Sequence, residues 1–440
     1  MNRTMLKGIL LLLIAGVLAG CQTGKSPLIR TTDVANFWEA YDRIQSTKDT
    51  ALQQRYLDSL YFQRGTPGLE AIRAARDYTV ADYLTAIHDY PRFWAAVRPN
   101  TLKADKYARE LEKGITALRK VYPTLRPAKI YFTIGALRTN GTTVDSMVLI
   151  GSELAMADAR TPSAEFPDAT RVGRRAYFDS NPLQDVVLLN VHEYVHTQQL
   201  PAVNNLLSYA IREGVAEFVS THALGIASPV PAVKYGKKHP TVREAFEREL
   251  YYGNNLSDWL WSDRSNTFGM RDLGYYIGFQ ISENYYTQAV DKKTAIATLI
   301  ELDYANETAV DSVVAVSGFF SRSLEELYWD FEARRPTVTS IGPFANGDKS
   351  VDPDINTMTI TFSEPLNPEY SNFDYGPMGE EGLARLAGVV GWSGNGRSVT
   401  VALEALTPNK KYQILVGSGF RNPDGVPLRP YLISFTTASQ

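Results

Sequence analysis

The chain has 440 residues and a formal net charge of −3, so it lacks the basic excess of a nucleic-acid-binding surface. Its one cysteine excludes an intrachain disulfide and with it the small disulfide scaffold. A hydrophobic content of 44% is that of a globular protein, and the length suffices for about two or three domains with cores of their own.

Taken in chain order, Arg3 and Lys7 precede an apolar run from Ile9 to Leu18, which ends in Leu18-Ala19-Gly20-Cys21. The run falls short of the roughly 20 residues that span a bilayer, and small residues before Cys21 suit a signal peptidase. Residues 1–20 therefore read as a signal peptide. The ending resembles a bacterial lipobox, which implies that Cys21 becomes the lipidated N-terminus of a membrane-anchored envelope protein. Gln22, in place of aspartate, implies by the same resemblance the outer membrane. Polar Gln22-Thr23-Gly24-Lys25-Ser26-Pro27 reads as tether, and residues 21–30 are assigned to it.

Residues 31–125 carry a helical pattern, with Phe37, Ala40, Tyr41 and Ile44 spaced by three and four and with Asp77, Thr79, Pro91 and Pro99 as punctuation. A strand is expected at Lys129 to Thr133, a turn at Thr139-Asn140-Gly141-Thr142 and a neighbouring strand from Met147 to Ile150. More helices follow to about Arg335. Residues 126–335 form the second expected unit, and the fold class is α+β.

Within that unit, Asn181-Pro182 offers an N-cap with proline at the first helical position, and the helix can run until Pro201. It carries His192-Glu193-Tyr194-Val195-His196. Four-residue spacing puts both imidazoles on one face, able to grip one zinc ion, while Glu193 can reach a metal-bound water as general base. A third protein ligand is required. The extended pattern with glycine and a third histidine is excluded by Gln199 and Ala202. Asn204 to Leu224 reads as a second helix, ended by Gly225, with Glu213 as third ligand and Glu217 one turn on, placed to hold a liganding imidazole.

These residues resemble the glutamate-zincins, the clan of thermolysin-like proteases and zinc aminopeptidases, over about residues 129–283. The resemblance implies a zinc metallopeptidase acting on peptides or proteins, with Glu213 completing the zinc site and Glu217 supporting it. The interval from His196 to Glu213 is slightly shorter than the clan usually has, which leaves the reverse assignment of the two glutamates open. In Gly274-Tyr275-Tyr276-Ile277-Gly278 either tyrosine can set a phenol near an oxyanion or belong to the core, and Tyr275 is preferred. Glu153 precedes the zinc helix much as the amine-binding glutamate does in aminopeptidases, although the full Gly-x-Met-Glu-Asn pattern is absent. A non-catalytic lipoprotein of the same fold, acting in envelope assembly or binding, is the alternative.

After Pro336 the pattern changes to short strands, Thr357 to Phe362, Ser398 to Leu403 and Leu432 to Thr436, with turns at Gly394-Asn395-Gly396 and Pro423-Asp424-Gly425. Residues 336–440 resemble a bacterial Ig-like domain through Pro343-Phe344-Ala345-Asn346-Gly347, Thr361-Phe362-Ser363-Glu364-Pro365, Leu406-Thr407-Pro408, Tyr412 and Phe435-Thr436-Thr437. The resemblance implies a β-sandwich that acts as a spacer or binds a protein or glycan partner.

Overall fold

Between Thr32 and Val121 the apolar spacing is realised as the helices Thr32–Gln45, Thr50–Leu57, Pro67–Ala75, Val80–Asp89, Pro91–Thr101 and Ala104–Val121. The computed structural model describes residues 28–253, 255–261 and 266–439, so the signal segment and Cys21 lie outside the described residues. Thr79 starts its helix with a reciprocal capping box to Asp82, and Pro91 sits in the first turn of the next, where its missing N–H costs nothing. Pro99, expected as a break, lies inside Pro91–Thr101. It occupies the last turn, where a proline removes one hydrogen bond and has little helix left to disrupt.

Four strands, β1 (Ile29–Arg30), β2 (Lys129–Thr133), β3 (Gly141–Val144) and β4 (Met147–Gly151), form a sheet in the order β1-β2-β4-β3. β2 runs parallel to β1 and β4, and β3 lies antiparallel to β4 at the edge. Two expectations are corrected here. Ile29 and Arg30, assigned to the tether, pair with Ile130 and Tyr131, because Ile29 buries its side chain in the core. Gly141 and Thr142, expected in a turn, begin β3, since Thr142-Thr143-Val144 is a β-branched run, and the chain reverses instead at Asp145, whose φ is 50°.

One hydrophobic core joins these helices and this sheet to the helices that follow, from Ile29 to Leu327. It grips the motif helix, Pro182–His196, on several sides. A β-carbon on Gly114 would lie 2.9 Å from Val191 Cγ2, so the helix Ala104–Val121 approaches the motif helix closely because glycine stands there. Buried Tyr194 accepts a hydrogen bond from the Ala128 N–H at 2.8 Å and donates to the Arg126 carbonyl, tying the motif helix to the start of β2. Asn181 does not cap this helix as expected. It is left-handed, with φ 58°, and its side chain makes no cap bond; its carbonyl accepts the Gln184 N–H instead.

The C-terminal strands are β5 (Val338–Gly342), β6 (Thr357–Phe362), β7 (Phe373–Asp374), β8 (Leu386–Trp392), β9 (Ser398–Leu403), β10 (Lys411–Val416) and β11 (Tyr431–Thr436). They form antiparallel sheets in the orders β5-β6-β9-β8 and β11-β10-β7. Period-2 burial turns Met358, Ile360, Phe362, Val399 and Val401 inward against Ile414, Val416, Ile433 and Phe435, a core separate from the first. Gly396 and Gly425 take positive φ in the two expected turns. Arg335 donates to the Leu428 carbonyl and Arg429 pairs with Glu332, so the last helix of the first unit contacts the sandwich. The chain as a whole is α+β, and among the described residues no helix is long and apolar enough to cross a membrane.

Candidate metal centre

The motif helix ends at His196, and after a turn through Gln198 and Gln199 the chain enters the glutamate helix, Leu206–Leu224, capped by the Asn205 side chain and closed by left-handed Gly225. This reversal lays Glu213 opposite the two imidazoles. His192 Nε2 and His196 Nε2 are 3.1 Å apart, and Glu213 Oε2 lies 3.5 Å from the first and 3.3 Å from the second. Ligand atoms about 2.0 Å from a tetrahedral zinc ion are about 3.3 Å from one another, so the three atoms fit three corners of such a site. All three residues are buried, and they are the group that could hold a metal ion among the described residues.

The ring nitrogens that face away from this centre are also held. His192 Nδ1 is 3.2 Å from Glu217 Oε2, and the Ser228 hydroxyl donates to the other oxygen of Glu217. His196 Nδ1 donates to Gln199 Oε1 at 2.6 Å, and the Gln199 amide nitrogen donates to the Arg212 carbonyl and the Tyr304 hydroxyl. Partners of this kind fix the ring orientation and leave Nε2 free to bind. Of the two glutamates, Glu213 thus faces both Nε2 atoms and Glu217 stands behind one ring. Burial is the largest single influence on His192 and works against its charge, but the hydrogen bonds and negative charges of Glu213 and Glu217 together outweigh it and push its pKa up to about 10. Two buried carboxylates, one on each side of the same imidazole, demand positive charge, which a divalent cation can supply in place of the proton.

Glu193 is half-buried and stands beside the sheet edge: a β-carbon on Gly141 of β3 would lie 3.5 Å from its Cγ. Tyr275 comes from the tyrosine helix, Leu273–Gln288. Its ring lies over His192 at 6.2 Å between centroids, near enough to Glu213 to feel its charge. Burial, then the nearby charge of Glu213, hold this phenol well above its usual pKa, so it stays a donor. Tyr276 instead packs in the core against Gly236 and Phe319. What brings Tyr275 to Glu213 is a backbone contact between helices: a β-carbon on Gly278 would sit 1.8 Å from the Ala210 carbonyl oxygen, and one on Gly214 2.0 Å from the Gly278 carbonyl carbon. Any side chain at either position forces the two helices apart.

Glu153 is placed differently from the other acidic residues. It is fully buried, and its two oxygens accept the Gly135 N–H at 2.9 Å and the Leu137 N–H at 3.3 Å, so it props the turn after β2 and is not presented to a substrate amine. Desolvation outweighs these hydrogen bonds and the nearby Arg174, pushing its pKa from 4.5 up to about 7. The folded state therefore prefers the neutral acid. Its contribution to stability is complete below the unfolded value near 4.5 and is lost as pH rises through about 7, on the order of 3 kcal/mol. Urea unfolding of wild type and Glu153→Gln at pH 5 and pH 8 checks this: wild type should lose stability relative to the variant at the higher pH. Parallel pH dependence of the two proteins would refute it.

Gln199, Ser228 and Tyr304 had no sequence signal beyond polarity, and Gln199 entered only as a departure from another motif. Trp261 was likewise unmarked. It lies just before the tyrosine helix, with φ 58°, and its indole N–H reaches the Tyr275 hydroxyl at 3.4 Å. The other histidines lie elsewhere: His88 bonds Gln53, His222 stacks on Phe218, and His239 stacks on Tyr235.

Residues 332–437 match the family model described as a bacterial Ig-like domain. No curated protein matches the chain. Among solved structures, the N-terminal part of the bacterial S-layer protein SbsC aligns at 14% identity over 92% of this chain and 69% of that one, with a TM-score of 0.19. A longer SbsC structure, rSbsC(31-844), aligns at 13% identity over 93% of this chain and 45% of its own length, with a TM-score of 0.18. Scores this low do not define a shared fold.

Proposed function

We propose that this chain is a zinc-dependent peptidase of the bacterial cell envelope that hydrolyses peptide bonds with Glu193 as general base. The observation that carries the reading is the convergence of His192 Nε2, His196 Nε2 and Glu213 Oε2 at tetrahedral spacing, with both far ring nitrogens held by Glu217 and Gln199. Zinc bound there would supply a Lewis acid that makes water acidic and polarises a carbonyl. The chain's own groups do the rest. Glu193, one residue and about 100° around the helix from His192, takes a proton from the attacking water and returns it to the leaving amine. Tyr275 keeps its proton and donates to developing negative charge. β3 is the edge of its sheet and passes Glu193, so an extended peptide can add to it as a further strand. The test is zinc analysis of the purified protein together with cleavage of a mixed peptide library; stoichiometric zinc with no cleavage of any member would overturn the peptidase reading.

The envelope location rests on the leader, the Leu18-Ala19-Gly20-Cys21 ending and the bacterial Ig-like domain, which serves here as a spacer or a docking module for a protein or glycan. Acylated Cys21 would hold the protein on the membrane, stably so with more than one chain. Cys21→Ala should therefore lose its lipid and leave the membrane fraction. A variant that is processed normally and resists a salt wash in that fraction would remove the lipid anchor.

A further inference from the structure

A cavity of about 360 Å³ opens at the start of the motif helix, where Asn181, Leu183 and Gln184 meet Tyr107 of the helix Ala104–Val121 and the turn that holds Asp158 and Arg160. That volume stands at the lower end of small-molecule sites, roughly 300 to 1,000 Å³. The cavity is apart from the metal centre, since His192 lies about 15 Å further along the helix axis at ~1.5 Å per residue. Arg160 and Gln184 are exposed, so it is reached from solvent. Three of its polar side chains are uncommitted: left-handed Asn181 forgoes the cap bond its side chain would otherwise make, and among the described residues neither the Gln184 amide nor the Tyr107 hydroxyl has a hydrogen-bond partner. Each of the three offers both a donor and an acceptor.

The charges around the cavity cancel. Arg160 pairs with Asp158 at 2.7 Å, and Lys106, whose ammonium lies over the Tyr107 ring, pairs with Glu110. The helix start adds no donor for an anion either. Pro182 has no N–H, the Leu183 and Gln184 N–H groups donate to the carbonyls of Ala157 and Asn181, and Asp185 stands in the first turn. From this cavity we infer a binding site for one neutral sugar ring, free or at the end of a glycan. Its hydroxyls bond the two amides and the phenol, and its C–H faces pack on Tyr107 and Leu183. A purely apolar ligand would cover the amides and leave them unpaired, and an anion would meet no unpaired positive group. The site stands independently of the peptidase reading.

Titration calorimetry of the full chain with glucose, N-acetylglucosamine and inorganic phosphate tests it. At least one of the sugars should bind saturably with a Kd of about 1 mM, the strength of one ring held by a few hydrogen bonds, and phosphate should not bind. Asn181→Gly keeps the left-handed backbone while removing the amide, Gln184→Ala removes the other amide from an exposed helical position, and Tyr107→Ala removes ring and hydroxyl together. Each should weaken the sugar by about 10-fold, while thermal unfolding of Asn181→Gly and Gln184→Ala stays at the wild-type temperature. No saturation by either sugar, saturable binding of phosphate in their place, or a sugar affinity unchanged in the two amide variants overturns the site. The last of these results would put the sugar elsewhere on the chain.

Discussion

Glu193→Gln should retain zinc and fold while peptide hydrolysis falls by roughly 100 to 10,000-fold, the usual worth of a general base. The side chain is half-buried beside β3, outside the triangle of His192, His196 and Glu213, so the substitution leaves the ligand atoms and their supporting hydrogen bonds in place. Glutamine matches glutamate in size and polarity and cannot accept the proton of water. His192→Ala acts on the other half of the site: it removes one of the three converging atoms and strands Glu217, a buried carboxylate, without its imidazole. That variant should lose zinc and activity together and unfold at lower temperature. Zinc content, thermal unfolding and peptide cleavage, measured side by side for the three proteins, separate these outcomes. Hydrolysis by Glu193→Gln at the wild-type rate would remove the general base from the mechanism.

Glu213→Ala should cost far more metal affinity than Glu217→Ala. Glu213 Oε2 lies within 3.5 Å of both Nε2 atoms, whereas Glu217 reaches the back of one ring. Losing a supporting carboxylate is worth roughly 10 to 100-fold in affinity, because the imidazole still binds from a less well-fixed orientation. Losing a ligand leaves two imidazoles, too few to complete a tetrahedral protein site with one open position. Competition against a zinc-sensitive chelator gives both constants. If Glu217→Ala proved the weaker binder, the roles of the two glutamates would have to be exchanged.

Much of this site is readable from residues close together in sequence. The four-residue interval between His192 and His196 can place two imidazoles on one helical face, and the same interval between Glu213 and Glu217 stacks two carboxylates. Glycine at 225 marks the end of the glutamate helix by chain conformation alone, whereas its start, read at Asn204, falls at Leu206 with Asn205 as the cap. Other features resisted such reading because their cause is distant. Asn181 has the composition of an N-cap but takes a left-handed turn. Ile29 and Arg30 look like tether until Ile130 and Tyr131, a hundred residues on, offer them a strand to pair with.

By itself the sequence determined the α+β class, the Ig-like β-sandwich at the C-terminal end and the helices that carry the candidate metal ligands, since periodicity and turn chemistry are local properties of the backbone. Only the tertiary structure decided which side chains meet. Gly214 against Gly278 lets two helices touch backbone to backbone, and that approach is what brings Tyr275 to Glu213 while Tyr276, its neighbour, goes to the core. It also turned Glu153 inward to hold Gly135 and Leu137, and set Gln199 behind His196 and Trp261 beside Tyr275. Contacts of this kind depend on how closely separate elements pack, and the spacing of residues within any one element does not specify them.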